Sequence, residues 1–228
     1  MQAPDWLLPR PEFELSPAKQ QAFEDLWRSS CPGAWIPYTL PYPKWQFLTY
    51  LCEAQALVLH GSQNRAIGSV EPRQANDIRT YSNQRAIYAT TDGIWVIYFA
   101  ILDRLRYPGM SLFNTCFRVQ DPAGALSAPL YFFSITQAAL IQRPWCEGAI
   151  YILSRQQFEQ EAPQNLQGVD IIFPHWISLH PAPPLAKLTV GPEDFPFLPQ
   201  IHGHNNEKLR HLATSDPQGY PWLNALES

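Results

Sequence analysis

Apolar positions along this chain follow a helical spacing over its first quarter and gather into short unbroken blocks after it. Between Ala18 and Ser29 the residues Ala22, Phe23, Leu26 and Trp27 recur at the spacing of one helical face. Ser16-Pro17 stands directly before them, a capping hydroxyl followed by proline at the first helical position, which is how helices start. A second helix is predicted from Lys44 to Glu53, with Trp45, Leu48, Thr49 and Cys52 on one face. The loop between them, Cys31 to Pro43, is broken by Pro32, Pro37, Pro41 and Pro43. From Leu57 onward the apolar blocks have strand length, at 57–60, 86–90, 116–119, 129–135 and 149–153, with Gly, Pro and Asn in the loops. Asp92 is placed to cap a buried helix running to about Arg106, and Ser154 to cap a short one over 154–161.

Beyond Pro163 the chain changes character. Nine further prolines, from Pro174 to Pro221, work against long helices and central strands. Residues 163–228 are therefore expected to form an extended strap over the core and not a second domain. Their Phe173, Trp176, Phe195, Phe197 and Trp222 need burial that the strap cannot supply alone. The chain reads as one domain, 1–228, with a helical part at 1–54, a core at 55–162 and the strap at 163–228.

Composition narrows the function. With 46% hydrophobic and only 16% charged residues, 228 residues suffice to bury one sizeable core. The net charge of −4 and the lack of any Lys/Arg block argue against a protein that holds nucleic acid by neutralising many phosphates. A nucleic acid as a transient substrate stays open. The cysteines, Cys31, Cys52, Cys116 and Cys146, form no C-x-x-C pair, which argues against zinc, redox or disulfide-framework chemistry. The N-terminus has no signal-peptide pattern, and Ile94 to Leu102 is shorter than the roughly 18 residues of a membrane helix. A soluble, cytoplasmic protein with no membrane partner is expected.

The candidate chemistry lies at strand ends. Leu57-Val58-Leu59 runs into His60-Gly61-Ser62, where glycine would let a ligand approach the backbone closely. Ala86-Ile87-Tyr88-Ala89-Thr90 precedes an apolar segment containing Tyr98, and Glu147 stands at the head of Gly148-Ala149-Ile150-Tyr151. Each residue also has an ordinary structural reading. His60 would be satisfied by a backbone carbonyl, Tyr88 and Tyr98 would be core aromatics, and Glu147 would be an exposed strand-start carboxylate.

This ordered set, His-Gly-Ser at 60–62, Ile-Tyr-Ala at 87–89 and Glu147 with Tyr151 four residues on, resembles the ADP-ribosyltransferase superfamily. The likeness is to its poly(ADP-ribose) polymerase-like and diphtheria-toxin-like branch, over roughly residues 55–155. It implies an α+β fold, two mostly antiparallel sheets around an NAD cleft, with helices on the N-terminal side. It also implies NAD as co-substrate, with ADP-ribosyl transfer to an acceptor or NAD hydrolysis by water. In that reading Glu147, His60 and Tyr88 are catalytic, and His60, Gly61, Ser62, Tyr88 and Tyr98 bind NAD. Glu147 would stabilise the oxocarbenium-like state, His60 would bond the adenosine-side ribose, and Tyr98 would stack on nicotinamide. The family's small hydroxyl residue three before that stacking tyrosine is Trp95 here. Protein, nucleic acid, small molecule and water all remain open as acceptor. A non-catalytic module binding NAD, another nucleotide or a protein on the same fold is the alternative.

Three further groups have weaker signals. Arg73, Arg79 and Arg85 in the 63–85 loop suit either pyrophosphate or solvent. His202, His204 and His211 lack a Cys or carboxylate partner at ligand spacing, so a polar tail is expected and no metal. Asp92 and the Asp103-Arg104 pair read as helix-end residues.

Overall fold

A computed structural model describes residues 4–75, 81, 83–166, 168–216 and 219–226. In chain order, β1 (Leu8–Pro9), α1 (Pro17–Arg28), α2 (Lys44–Ala54), β2 (Leu57–Ser62), β3 (Arg73–Gln74) and β4 (Arg85–Thr90) come first. The middle holds α3 (Trp95–Ala100), β5 (Leu112–Gln120), β6 (Leu130–Thr136), α4 (Gln137–Ile141), β7 (Gly148–Ser154) and β8 (Glu159–Gln160). The last part supplies β9 (Gln164–Leu166), β10 (Val169–Ile172), β11 (His175–Ser178), β12 (Ala186–Val190), β13 (His202–His204) and α5 (Asn206–Ser215). This is an α+β protein with two antiparallel sheets and helices that include an N-terminal pair.

The first sheet runs β1-β6-β5-β10-β9, and the second runs β12-β7-β2-β4-β11-β8 with β3 beside β4. The parallel pairing of β13 with β6 is the exception to the antiparallel rule. Leu57 and Leu59 of β2 face a core shared with α2, α3 and the first sheet, whereas Val58 between them faces a second cluster with Ile87, Ala149 and Tyr151. β7 is buried on both faces, and that is why Gly148 to Leu153 reads as an unbroken apolar run.

Ser16 caps α1 through Lys19 N–H, with Pro17 as its first residue. The α2 prediction needs correcting in one respect: all eight residues Trp45–Cys52 are buried, so it is a core helix and not a one-faced one. α3 ends at Ala100 instead of Arg106. Cys146 N–H takes the Ile101 carbonyl at 2.8 Å and Asp103 N–H donates to Pro144 at 2.8 Å, so the chain turns to meet the segment before β7. Ser154 does cap, but only the 3-10 turn Arg155–Gln157, because β8 starts directly afterwards.

The proline-rich stretch is more structured than an extended strap. Its prolines sit in the joints and leave proline-free windows that form β11, β12 and α5, and β11 lies between β4 and β8 inside its sheet. Phe195 and Phe197 enter the main core and Trp222 joins a third cluster with Leu209, while Phe173 and Trp176 stay half-buried. Among the described residues no helix is long and apolar enough to cross a membrane. Cys31, Cys52, Cys116 and Cys146 are all free thiols.

Candidate functional site

β2 carries the first part of the candidate site. It pairs with β7 along its whole length but meets β4 only where Leu59 opposes Thr90. His60 Nδ1 spans the opening beyond that point and lies 2.8 Å from the Tyr88 carbonyl oxygen. A carbonyl can only accept, so Nδ1 carries the proton and Nε2 presents a lone pair. Burial pushes the His60 pKa down, the Tyr88 hydrogen bond opposes this, and the charge of Arg73 adds to the lowering. His60 is thus a neutral acceptor at pH 7.

Gly61 does make a close backbone approach, but to α3. A Cβ there would overlap the Val96 carbonyl oxygen and come within 3.3 Å of Ala100 N. This corrects the expectation that the glycine opens the backbone to a ligand. Ser62 accepts from Asn64 N–H at 3.1 Å and shapes the turn.

Glu147 is exposed and pairs with Arg65 at 2.8 Å. It directly precedes β7, which sets Tyr151 opposite His60 and Ala149 opposite Ser62. Side chains alternate along strands, so His60, Ser62, Ala149 and Tyr151 project to the same side of the sheet, and Glu147 stands at its edge, tied to Arg65 of the loop that follows β2. Four residues separate Glu147 from the His60 register, about 13 Å along the strand. The Tyr151 hydroxyl is committed to this face's own loop, donating to Asn64 O at 2.6 Å and accepting from Ile67 N at 3.2 Å.

The structure does not bring Tyr98 to that face. Tyr98 is fully buried in α3, its hydroxyl donates to Ser134 O at 3.1 Å, and its ring lies 4.8 Å from Phe133. β2 separates it from His60. Tyr88 touches His60 only through its carbonyl; its hydroxyl folds back on Gln84, and its ring lies 5.5 Å from His175. Trp95 is buried, with its indole N–H on Asn114 Oδ1 at 2.6 Å.

Sequence reasoning missed a buried pair on this inner side. His175 Nδ1 lies 3.2 Å from Glu161 Oε2, and Gln164 donates to the other carboxylate oxygen at 2.7 Å. Rings of Tyr81, Tyr88 and Trp95 surround the imidazole at 5.3–5.8 Å. His175 and Glu161 are 14 residues apart in a proline-rich stretch, so no local motif announces them.

Of the loop arginines, Arg73 and Arg85 are exposed and Arg79 lies outside the described residues. Asp92 is a cap, accepting from Ile94 N and Trp95 N, with its other oxygen taking the Tyr131 hydroxyl. Asp103 accepts from Gln63 and Arg106 N, and Arg104 N–H donates to Gln63. His202 is exposed and stacks on Phe132, His211 is exposed on α5, and His204 is fully buried. No group of three His, Cys, Asp or Glu among the described residues is placed to hold a metal ion.

Ser111 and Ser134 hydroxyls flank both nitrogens of the His204 ring, and burial pushes its pKa down to about 4. In the unfolded chain a histidine titrates near 6.5, so there the unfolded state takes up the proton first. Stability contributed by His204 is complete above about pH 6.5 and is lost as the pH falls toward 4. The loss between pH 7 and pH 5 should be on the order of 2 kcal/mol. Urea titrations at both values should show most of that fall absent from His204→Gln. Equal falls in the two proteins would assign the pH dependence elsewhere.

No protein-family model, no curated protein and no solved structure matches this chain.

Proposed function

We propose that this chain binds NAD across the His60–Glu147 face of its second sheet and transfers ADP-ribose from it to an acceptor. The observation that carries this reading is a neutral imidazole on β2 with an exposed carboxylate just ahead of its partner strand β7. Their spacing of about 13 Å suits the two riboses of a dinucleotide. His60 Nε2 would accept from a hydroxyl of the adenosine-side ribose, and Glu147 would engage the nicotinamide-side ribose. Arg73, whose charge already acts on His60, would pair with the pyrophosphate. The face lies on the side of the second sheet turned away from the first, so NAD would lie across one sheet and not between the two.

The chemistry follows from charge. When the ribose–nicotinamide C–N bond breaks, its electron pair leaves with neutral nicotinamide and positive charge develops on the ribose. The Glu147 carboxylate stabilises that charge and orients the incoming acceptor, water included, whose oxygen or nitrogen forms the new bond and loses a proton.

A second reading, a module that binds NAD or another nucleotide without cleaving it, is favoured by the inner aromatics. With Tyr98 buried in the core and Trp95 bonded to Asn114, neither aromatic is free to stack on nicotinamide at the His60 face. Nicotinamide release separates the two. The transferase reading expects release from NAD that rises with enzyme concentration. Saturable NAD binding without release, with protein, nucleic-acid and small-molecule acceptors supplied, would instead support the module.

A further inference from the structure

A cleft of about 410 Å³ opens where the two sheets meet, and none of His60, Ser62 or Glu147 lines it. Its volume falls in the range of small-molecule sites. The end of α2 gives it Cys52 and Glu53, β5 gives Cys116 and Arg118, and the far wall brings Arg155 and Trp176. Leu126, Pro129, Ile172 and Pro174 make the rest of the wall apolar. Burial raises the pKa of both thiols, which keeps them protonated and makes this a place for binding and not for nucleophilic attack.

Formal charges in the cleft balance, but hydrogen-bonding capacity does not. Both acids are already engaged. Glu53 pairs with Arg10 at 3.3 Å and Arg118 at 3.7 Å, and Asp92 accepts from two backbone N–H groups and the Tyr131 hydroxyl. The donors are not. Trp176 Nε1 is buried and has no hydrogen-bond partner among the described residues. Arg155 spends Nε and Nη2 on the carbonyls of Leu57 and Cys52, while its Nη1 bonds nothing among the described residues. Among the described residues the Arg118 guanidinium has only its long pairing with Glu53. The Arg155 guanidinium also lies 5.1 Å from the Trp176 ring, so a cation and an orphaned N–H are side by side. A buried donor left without an acceptor carries its full desolvation cost, and a small turn of the ring, which lines the cleft, would let a ligand oxygen remove it.

We infer that this cleft is a binding site for a small organic carboxylate with an apolar body. The head group accepts from Trp176 Nε1 and pairs with the guanidinium groups of Arg155 and Arg118. Its body lies against Leu126, Pro129 and Ile172. A monoanion fits better than a phosphate dianion because Glu53 borders the same space. This site is independent of the NAD reading.

Phenylacetate and 3-methylbutanoate, their uncharged amides and inorganic phosphate serve as probes on the full chain. The readout is the indole N–H spectrum of ¹⁵N-tryptophan-labelled protein, with the Trp176 signal assigned by its loss in Trp176→Phe. Saturable movement of that signal by at least one acid is expected, with the matching amide about tenfold weaker or more. Trp176→Phe and Arg118→Gln, read on the remaining indole signals or by calorimetry, should each weaken the acid about tenfold while the rest of the spectrum shows the fold intact. No movement with either acid at about 10 mM overturns the proposal. So does equal binding of acid and amide, tighter binding of phosphate, or affinity unchanged by both substitutions.

Discussion

Glu147→Gln is expected to leave NAD binding within about twofold of wild type and to lower nicotinamide release by about 10²–10³. The amide keeps the shape and one hydrogen-bond acceptor, so ground-state contacts with a ribose hydroxyl largely survive. What it removes is the negative charge, which matters most when the ribose becomes cationic. The large effect depends on the ligand itself. In the free protein Glu147 is 63% exposed and pairs with Arg65, an arrangement in which water screens most of its field. A dinucleotide lying along β2 and β7 would cover the carboxylate, displace that water and make the same charge worth far more. Initial rates of nicotinamide release for both proteins, beside a calorimetric NAD titration of each, check the expectation.

Arg65 sharpens that experiment. A half-exposed ion pair contributes about 0–1 kcal/mol, so Glu147→Gln should barely move the unfolding midpoint. Lost turnover in a protein of unchanged stability therefore reports on chemistry. Equal release rates in the two proteins would remove Glu147 from the site and leave its pairing with Arg65 as its whole role.

Ser16-Pro17 revealed α1 because a cap is local chemistry, legible in four consecutive residues. The blocks at 57–60, 86–90 and 149–153 revealed three adjacent strands of the second sheet for a similar reason, since burial writes itself directly into an apolar run. Partners were another matter. Nothing near Trp176 in the chain says that β11 will slot between β4 and β8, because strand order depends on pairings across more than eighty residues. The same distance hid His175 and Glu161. Tyr98 illustrates the reverse failure: a tyrosine in an apolar run looks the same from the sequence whether it faces a ligand or a core. Here the Ser134 carbonyl, 36 residues away, takes its hydroxyl and fixes the answer. For the candidate site, the sequence placed Glu147 at the head of a strand, as found, but ended the first strand at His60, whereas β2 runs on to Ser62 because Gly61 and Ser62 still pair with β7. It misread Gly61, whose missing side chain makes room for a helix.

That helix contact sets the second large effect, at Gly148. A Cβ at this position would overlap the Ala100 carbonyl oxygen, with the Ala100 carbonyl carbon 2.7 Å away and Ser62 O 2.9 Å away. All three are backbone atoms, so no side-chain rotamer can relieve the clash. Either α3 lifts off the sheet or β7 shifts relative to β2. Gly148→Ala should therefore destabilise the protein by about 3 kcal/mol or more, at the upper end of what overpacking costs. Gly109 is the matched control, because a Cβ there meets nothing within 4 Å and its backbone is ordinary for an L residue. Gly109→Ala should fall between neutral and about 1 kcal/mol stabilising, through the lower entropy of its unfolded chain. Urea unfolding of the two variants beside wild type measures both. Since Gly148 directly follows Glu147, any Gly148→Ala protein that still folds should also carry a displaced carboxylate. Its NAD binding, measured at a temperature where it remains folded, should weaken together with its nicotinamide release, unlike the selective loss expected from Glu147→Gln. Wild-type stability in Gly148→Ala would mean that α3 does not press on β7 as the structure has it.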